Sequence, residues 1–317
     1  TAMSKYMKRL FYVVGALLLA ATSCQKVAEV MHGKGYVEFT IETPGASTKT
    51  IGDGMNVDIV YYEIYKNEAN HKNSIDGGIP LIKGHTKVVG KNASLTLNLL
   101  QDQDYVALFW AHVYGYGDKF YNVEDLRKVE VTYTLEDRKL APANDEDRAA
   151  FCQRHPFSTH KKVNSEKVYL VRPFAQINLG TTKKSLNLDY PITLQKSHMY
   201  IDGVANVFNV NKMEATKYVT NVDYAFNDVP KQFLTVGDTD YAYAGMNYIL
   251  VPANKSNVKL TYDIMTDVGT VNRTVVDVPV KMNYRTNLLG NLLTQETKIE
   301  IVVDNTFLGD EYVEIPN

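Results

Sequence analysis

The sequence predicts an all-β fold organised as two sandwiches in series, and three observations predict it. Apolar residues recur with a period of two rather than 3.6 over most of the chain. Tyrosine is abundant, at 22 residues, and aromatic side chains with β-branched neighbours suit pleated, half-buried surfaces. The same succession of short strand-like stretches is met twice along the chain, as in β-sandwiches.

The first residues stand apart from this pattern. Lys5, Lys8 and Arg9 form a basic stub, residues 10–21 are an unbroken apolar run, and Ala21-Thr22-Ser23-Cys24 follows. That run is shorter than the roughly twenty residues a membrane-crossing helix needs, and it suits the core of a removable export signal. Small residues before a cysteine make a lipobox. Residues 1–23 are therefore expected to be a lipoprotein signal peptide, with Cys24 acylated as the new N-terminus, and residues 24–35 a polar spacer. Losing three of the 34 Lys and Arg leaves 31 against 36 Asp and Glu. Such a surface does not attract nucleic acid, and the pairs Lys161-Lys162 and Lys183-Lys184 are too isolated to grip phosphates. With Cys24 acylated, Cys152 is the one other thiol, so no intrachain disulfide is expected. Stability must come from burial, and about 290 residues suffice for two cores.

Val37, Phe39 and Ile41 alternate with Glu38, Thr40 and Glu42, and Leu95, Leu97 and Leu99 alternate with Thr96 and Asn98. Each set reads as a strand with one buried face. Residues 57–65 and 105–114 are more continuously apolar and fit central strands covered on both faces. The second half repeats this over residues 168–179, 204–210, 248–251, 258–264, 273–280 and 298–303. One segment differs: residues 142–151 predict a short helix with Asn144 as N-cap and Asp145, Glu146 and Asp147 in its first turn. The polar residues 153–167, with Pro156 among them, read as the connection. The N-terminal sandwich is thus expected over 36–165 and the C-terminal one over 166–317.

Few constellations carry chemistry. His155 and His160, near Cys152, match no tight zinc spacing. Asp238 and Asp240 lack the surrounding oxygen ligands of a calcium loop and read as turn residues. The common nucleophile-elbow, phosphate-loop and zincin motifs do not occur. Trp110, the sole tryptophan, lies inside an apolar strand and reads as core. Neither a metal, a catalytic residue nor a cofactor is expected, apart from the lipid on Cys24.

Three stretches belong together: Val171-Arg172-Pro173-Phe174-Ala175-Gln176-Ile177-Asn178-Leu179-Gly180, Tyr284-Arg285-Thr286-Asn287-Leu288-Leu289-Gly290-Asn291-Leu292-Leu293-Thr294, and Asn144-Asp145-Glu146-Asp147-Arg148-Ala149-Ala150-Phe151. In their order and spacing they resemble the fimbrillin-like lipoproteins of Bacteroidales, the subunits of type V pili, from the lipobox to Phe307-Leu308-Gly309-Asp310. The resemblance implies two transthyretin-like β-sandwich domains, a lipidated outer-membrane precursor at the cell surface, and no enzymatic activity. It also implies removal of the first strand by a trypsin-like protease and filling of the vacated groove by a C-terminal strand of another subunit. On this chain the removable strand is residues 36–43, with Val37, Phe39 and Ile41 facing in. The processing site is Lys49, with Thr50 as the new N-terminus, and the donor stripe is Ile299, Ile301 and Val303. The stretch 298–303 reads equally as an ordinary last strand.

The chain departs from the family at the processing site, where lysine stands for arginine; no arginine lies between Arg9 and Arg127. An arginine-specific enzyme finds no site there, whereas one accepting either base cuts after Lys49. The function implied is a fimbrial subunit, whether shaft, anchor or accessory, that supports adhesion. Its partners would be other subunits, the protease, the outer membrane and a surface receptor. The alternative is a non-polymerising, glycan-binding lipoprotein of the outer membrane.

Overall fold

A computed structural model describes residues 33–44, 56–67, 74–186, 191–252, 255–294 and 298–305. The signal peptide, Cys24, Lys49, Thr50 and the tail from residue 306 lie outside the described residues. The described residues from 35 onward belong to one compact unit, which is all-β, in two sheets.

The first sheet contains β1 (Lys34–Glu42), β2 (Ile59–Lys66), β3 (Ile82–Val89), β4 (Asn92–Leu100), β5 (Asp104–His112), β8 (Phe151–Ser158) and β9 (Val163–Tyr169). Their spatial order is β8-β5-β2-β3-β4-β1-β9. β3 and β4 pair only beside their turn, Val88 with Ala93 and Val89 with Asn92, so the sheet folds over there into two facing layers. Phe39 on β1 meets Phe109 on β5 and Phe157 on β8 edge to face, with centroids 5.8 and 5.0 Å apart. The alternation of β1 and β4 is that of layers with one buried face. β5 is buried along nearly its whole length, as its continuous apolar run predicts.

The second sheet contains β6 (Tyr121–Asn122), β7 (Val129–Val131), β10 (Phe174–Thr181), β11 (Leu194–Asn209), β12 (Glu214–Asp223), β13 (Asn227–Asp228) and β14 (Phe233–Val236). It continues through β15 (Thr239–Leu250), β16 (Lys255–Thr266), β17 (Gly269–Lys281), β18 (Arg285–Gly290) and β19 (Glu300–Asp304). Its main path is β17-β16-β11-β15-β10-β18-β19, with β7, β12 and β13 attached to β11 and β14 to β15. β11 and β15 pair only at Ala205 and Leu250, which makes a second corner. The Tyr133 hydroxyl bridges that corner, donating to the Ala205 carbonyl at 2.7 Å and accepting from the Leu250 N–H at 2.9 Å.

The outer face of β5 and β2 is covered by residues 115–131 and by the end of β11. Trp110, fully buried, packs against Tyr121 and Phe208 at 5.5 and 6.3 Å, which bears out its reading as core. Arg148 is buried at the same junction. Its guanidinium donates to the carbonyls of Thr132 and Tyr133 and lies 4.2 Å from the Phe120 ring centroid. Carbonyl dipoles and a ring face thus take the place of water around the charge.

Three readings of the sequence need correction. Residues 142–151 form no regular α-helix; a single 3-10 turn at Glu146–Arg148 is capped by Asp145, whose side chain accepts from Asp147 N–H. Asn144 instead adopts a φ of +55° and plugs the side of β15, exchanging bonds with Met246 through its own N–H (3.1 Å) and Oδ1 (2.8 Å). Residues 153–167 are no polar linker, because most of them lie in β8 and β9. Their polar groups are met one by one: Gln153 donates to the Tyr169 carbonyl, Arg154 to Asn211, and His155 Nε2 lies 2.8 Å from Glu166. Finally, residues 168–179 are not one strand, since the chain leaves β9 and restarts at β10 after Pro173.

Cys152 lies in β8, fully buried, its backbone paired with Trp110 and Val171. Burial pushes its thiol well above the ordinary value, and thiol chemistry proceeds through the thiolate. A maleimide is therefore expected to label Cys152 only after denaturation. Equal labelling rates in native and unfolded protein would contradict this placement.

Candidate functional site: the first strand and its groove

β1 is an inner strand of its layer, lying between β4 and β9. It runs parallel to β9 in the register Tyr36–Val163 to Glu42–Tyr169. The strand is tied at both ends: Tyr36 N–H donates to the Lys162 carbonyl, Leu170 N–H to that of Glu42, and Thr43 N–H to that of Lys91. Gly35 is required at its start, because a Cβ there would lie 2.7 Å from that of Thr159.

Val37, Phe39 and Ile41 point into the sandwich and are at most 1% exposed. Burying three such side chains stabilises the fold by up to about 5–9 kcal/mol. A chain stripped of β1 would expose Phe109 and Phe157 together with two rows of unpaired backbone groups. Any replacement strand must therefore supply both an alternating apolar stripe and a hydrogen-bonding edge.

β19 ends the main path of the second sheet and pairs antiparallel with β18, Ile301 opposite Leu288 and Val303 opposite Thr286. Of the stripe Ile299, Ile301 and Val303, the first two pack against the core, whereas Val303 is 39% exposed. Here the stretch pairs in cis with β18, as the last strand among the described residues.

The two longer motifs of the sequence become partners, for β10 and β18 pair in parallel with Asn178 opposite Asn287. Asn178 Nδ2 donates to Asn287 Oδ1 at 2.8 Å, Tyr243 O–H donates to Asn178 Oδ1 at 2.5 Å, and Asn287 donates to Asp304 on β19. A ladder of fully buried amides thus fixes the register of β10, β18 and β19, since a slip would leave each amide unpaired.

Other residues named from the sequence fall in structural places. Gly237 and Asp238 form the tight turn between β14 and β15, and Asp240 accepts from Thr235 Oγ1 at 2.7 Å. His160 lies near Asp102 and Asp104, at 3.9 and 3.4 Å.

A polar relay that sequence reasoning missed lies on the outer face of β2 and β5. Trp110 Nε1–H donates to His112 Nδ1 (3.2 Å), and His112 Nε2–H donates to Asp118 Oδ1 (2.8 Å). The Tyr61 hydroxyl donates to the same Oδ1 at 3.2 Å, and Gly115 N–H to Oδ2 at 2.8 Å. These bonds hold His112 neutral, with its proton on Nε2. Burial lowers the His112 pKa, against the opposing pull of Asp118 and Asp58. Burial raises that of Asp118, but the bonds from His112, Gly115 and Tyr61 outweigh it and leave it below the ordinary value.

Both shifts mean that the unfolded chain takes up protons first as pH falls. The stability they contribute is whole at neutral pH. The His112 part is lost below the usual imidazole range, near 6.5, and the Asp118 part as pH falls through its lowered value. The thermal midpoint is therefore expected to drop between about pH 7 and pH 5.5, less so in His112→Gln. An equal drop in that variant would contradict the assignment.

The fold and its inserted first strand define a class: all-β chains of successive sandwiches. Within it, the chain belongs to the Family of unknown function (DUF6562), whose model matches residues 29–316. No curated protein matches it. Among solved structures it is similar to a candidate adhesin from Bacteroides thetaiotaomicron, with TM-score 0.50 and 13% identity over 86% of this chain and 97% of that one. It also aligns with the tip fimbrial protein Mfa3 from Porphyromonas gingivalis, truncated at its C-terminus, with TM-score 0.43 and 10% identity over 86% and 98% of the two chains. A fimbrial assembly protein from Parabacteroides distasonis aligns with TM-score 0.43 and 14% identity over 86% and 96%. At these identities the likeness is one of fold.

Proposed function

We propose that the chain is a cell-surface fimbrial subunit of the fimbrillin type that supports adhesion and joins other subunits by β-strand exchange. It acts as an interaction protein rather than a catalyst. The observation that carries this reading is the insertion of β1 between β4 and β9 with Val37, Phe39 and Ile41 in the core. A strand held by pairing and an apolar stripe is replaceable by another strand of the same pattern. The fold shared with the Bacteroides thetaiotaomicron candidate adhesin supports it, as does the lipobox ending at Cys24, which would anchor the precursor in the outer membrane. In this reading a trypsin-like protease cuts after Lys49, and Ile299, Ile301 and Val303 belong to the donor strand.

The test is the mature N-terminus of protein recovered from cells, with the size of its crosslinked complexes. A terminus at Thr50 in fibres marks a shaft subunit, and a lipidated Cys24 in fibres marks an anchor, the role favoured by the lack of arginine from 10 to 126. Recovery as a monomer with no partner subunit overturns the proposal.

A further inference from the structure

We propose that the groove between the outer face of β2 and β3 and the loop 118–124 binds a neutral saccharide. This site is separate from the β1 groove and does not rest on strand exchange. The groove is open to solvent and offers about 540 Å³, a volume within the range of small-molecule sites. Its floor is aromatic: half-buried Tyr61 and exposed His85 lie opposite each other on β2 and β3, ring centroids 5.8 Å apart and tilted by 52°. Ring faces are electron-rich and attract the polarised C–H bonds that line one side of a pyranose.

The wall supplies Asp118, whose side chain is 37% exposed. A carboxylate has about four acceptor positions; His112, Tyr61 and Gly115 occupy three of them on Asp118. The remaining one is available to a ligand hydroxyl. Because the relay behind it is buried, this carboxylate is held in place before any ligand arrives, which lowers the ordering cost of binding. Gly117 makes that possible: a Cβ there would come within 2.7 Å of the His112 ring.

Charge selects a neutral ligand. Lys83 and Lys119 face Asp118 and Glu124 around the groove, and the signs cancel. Both cations are also engaged, Lys83 with the Glu124 carbonyl and beside Glu63, Lys119 over the Tyr116 ring. A phosphate or carboxylate would have to displace these contacts, whereas hydroxyl groups would not.

The test uses the full chain and its single tryptophan, whose indole N–H donates into the relay and gives one NMR signal. Cellotriose, maltotriose, mannotriose and triacetylchitotriose are the neutral probes; glucuronate and inorganic phosphate are the anionic ones. At least one neutral probe is expected to shift the Trp110 indole signal saturably. His85→Ala, at an exposed position, is expected to weaken binding about tenfold, while Phe233→Ala, on the second sheet, leaves it unchanged. Three results overturn the proposal: no saturable shift with any neutral probe at millimolar concentration, saturation by the anions alone, or binding indifferent to His85→Ala.

Discussion

Replacing Phe39 with alanine is expected to destabilise the chain by about 3–5 kcal/mol. The ring is 1% exposed and contacts Phe109 and Phe157 of the facing layer together with the His155 ring. Its loss leaves a cavity bounded by strands on both sides, which cannot collapse without moving β1. Thr40, the next residue, points outward and is exposed, so Thr40→Ala is expected to change stability by no more than about 0.5 kcal/mol. Urea denaturation of the pair measures both. A Phe39→Ala midpoint equal to that of Thr40→Ala would mean that β1 is not part of the core.

The second large effect belongs to Tyr133→Phe, a change that removes one oxygen and no packing. That hydroxyl serves both strands at the corner, donating to Ala205 and accepting from Leu250. Without it a buried carbonyl and a buried N–H lose their partner, at about 1–3 kcal/mol each. A loss of about 2–4 kcal/mol is expected, together with faster amide exchange at Leu250. Wild-type stability with unchanged exchange would show that water or a shift of β11 replaces the bridge.

Strands whose burial follows the pleat were legible from sequence. β1 and β4 alternate and are half covered; β5 is apolar from Tyr105 to Ala111 and is covered on both faces. β8 was hidden because Gln153, Arg154 and His155 each find a partner outside their own strand, so polarity there does not mean solvent. Pro156 did not argue against a strand in the end, for β8 is an edge of its sheet and proline is tolerated on edges. Asn144 carried a capping signal, yet its side chain and N–H complete the side of β15 instead, a demand set by a strand a hundred residues away. The stripe Val37, Phe39 and Ile41 was visible in the sequence. The relay from Trp110 to Asp118 was not, since His112 and Asp118 meet only when residues 115–118 turn back over β5.

The measurement that bears most directly on the central claim is native mass spectrometry of protein cut after Lys49, alone and mixed with a variant carrying Ile299→Asp, Ile301→Asp and Val303→Asp. Strand exchange predicts loss of the fragment bearing β1 and a ladder of subunit multiples, with the triple variant able only to cap chains. A cleaved monomer that keeps its β1 fragment bound, with no ladder, would contradict it.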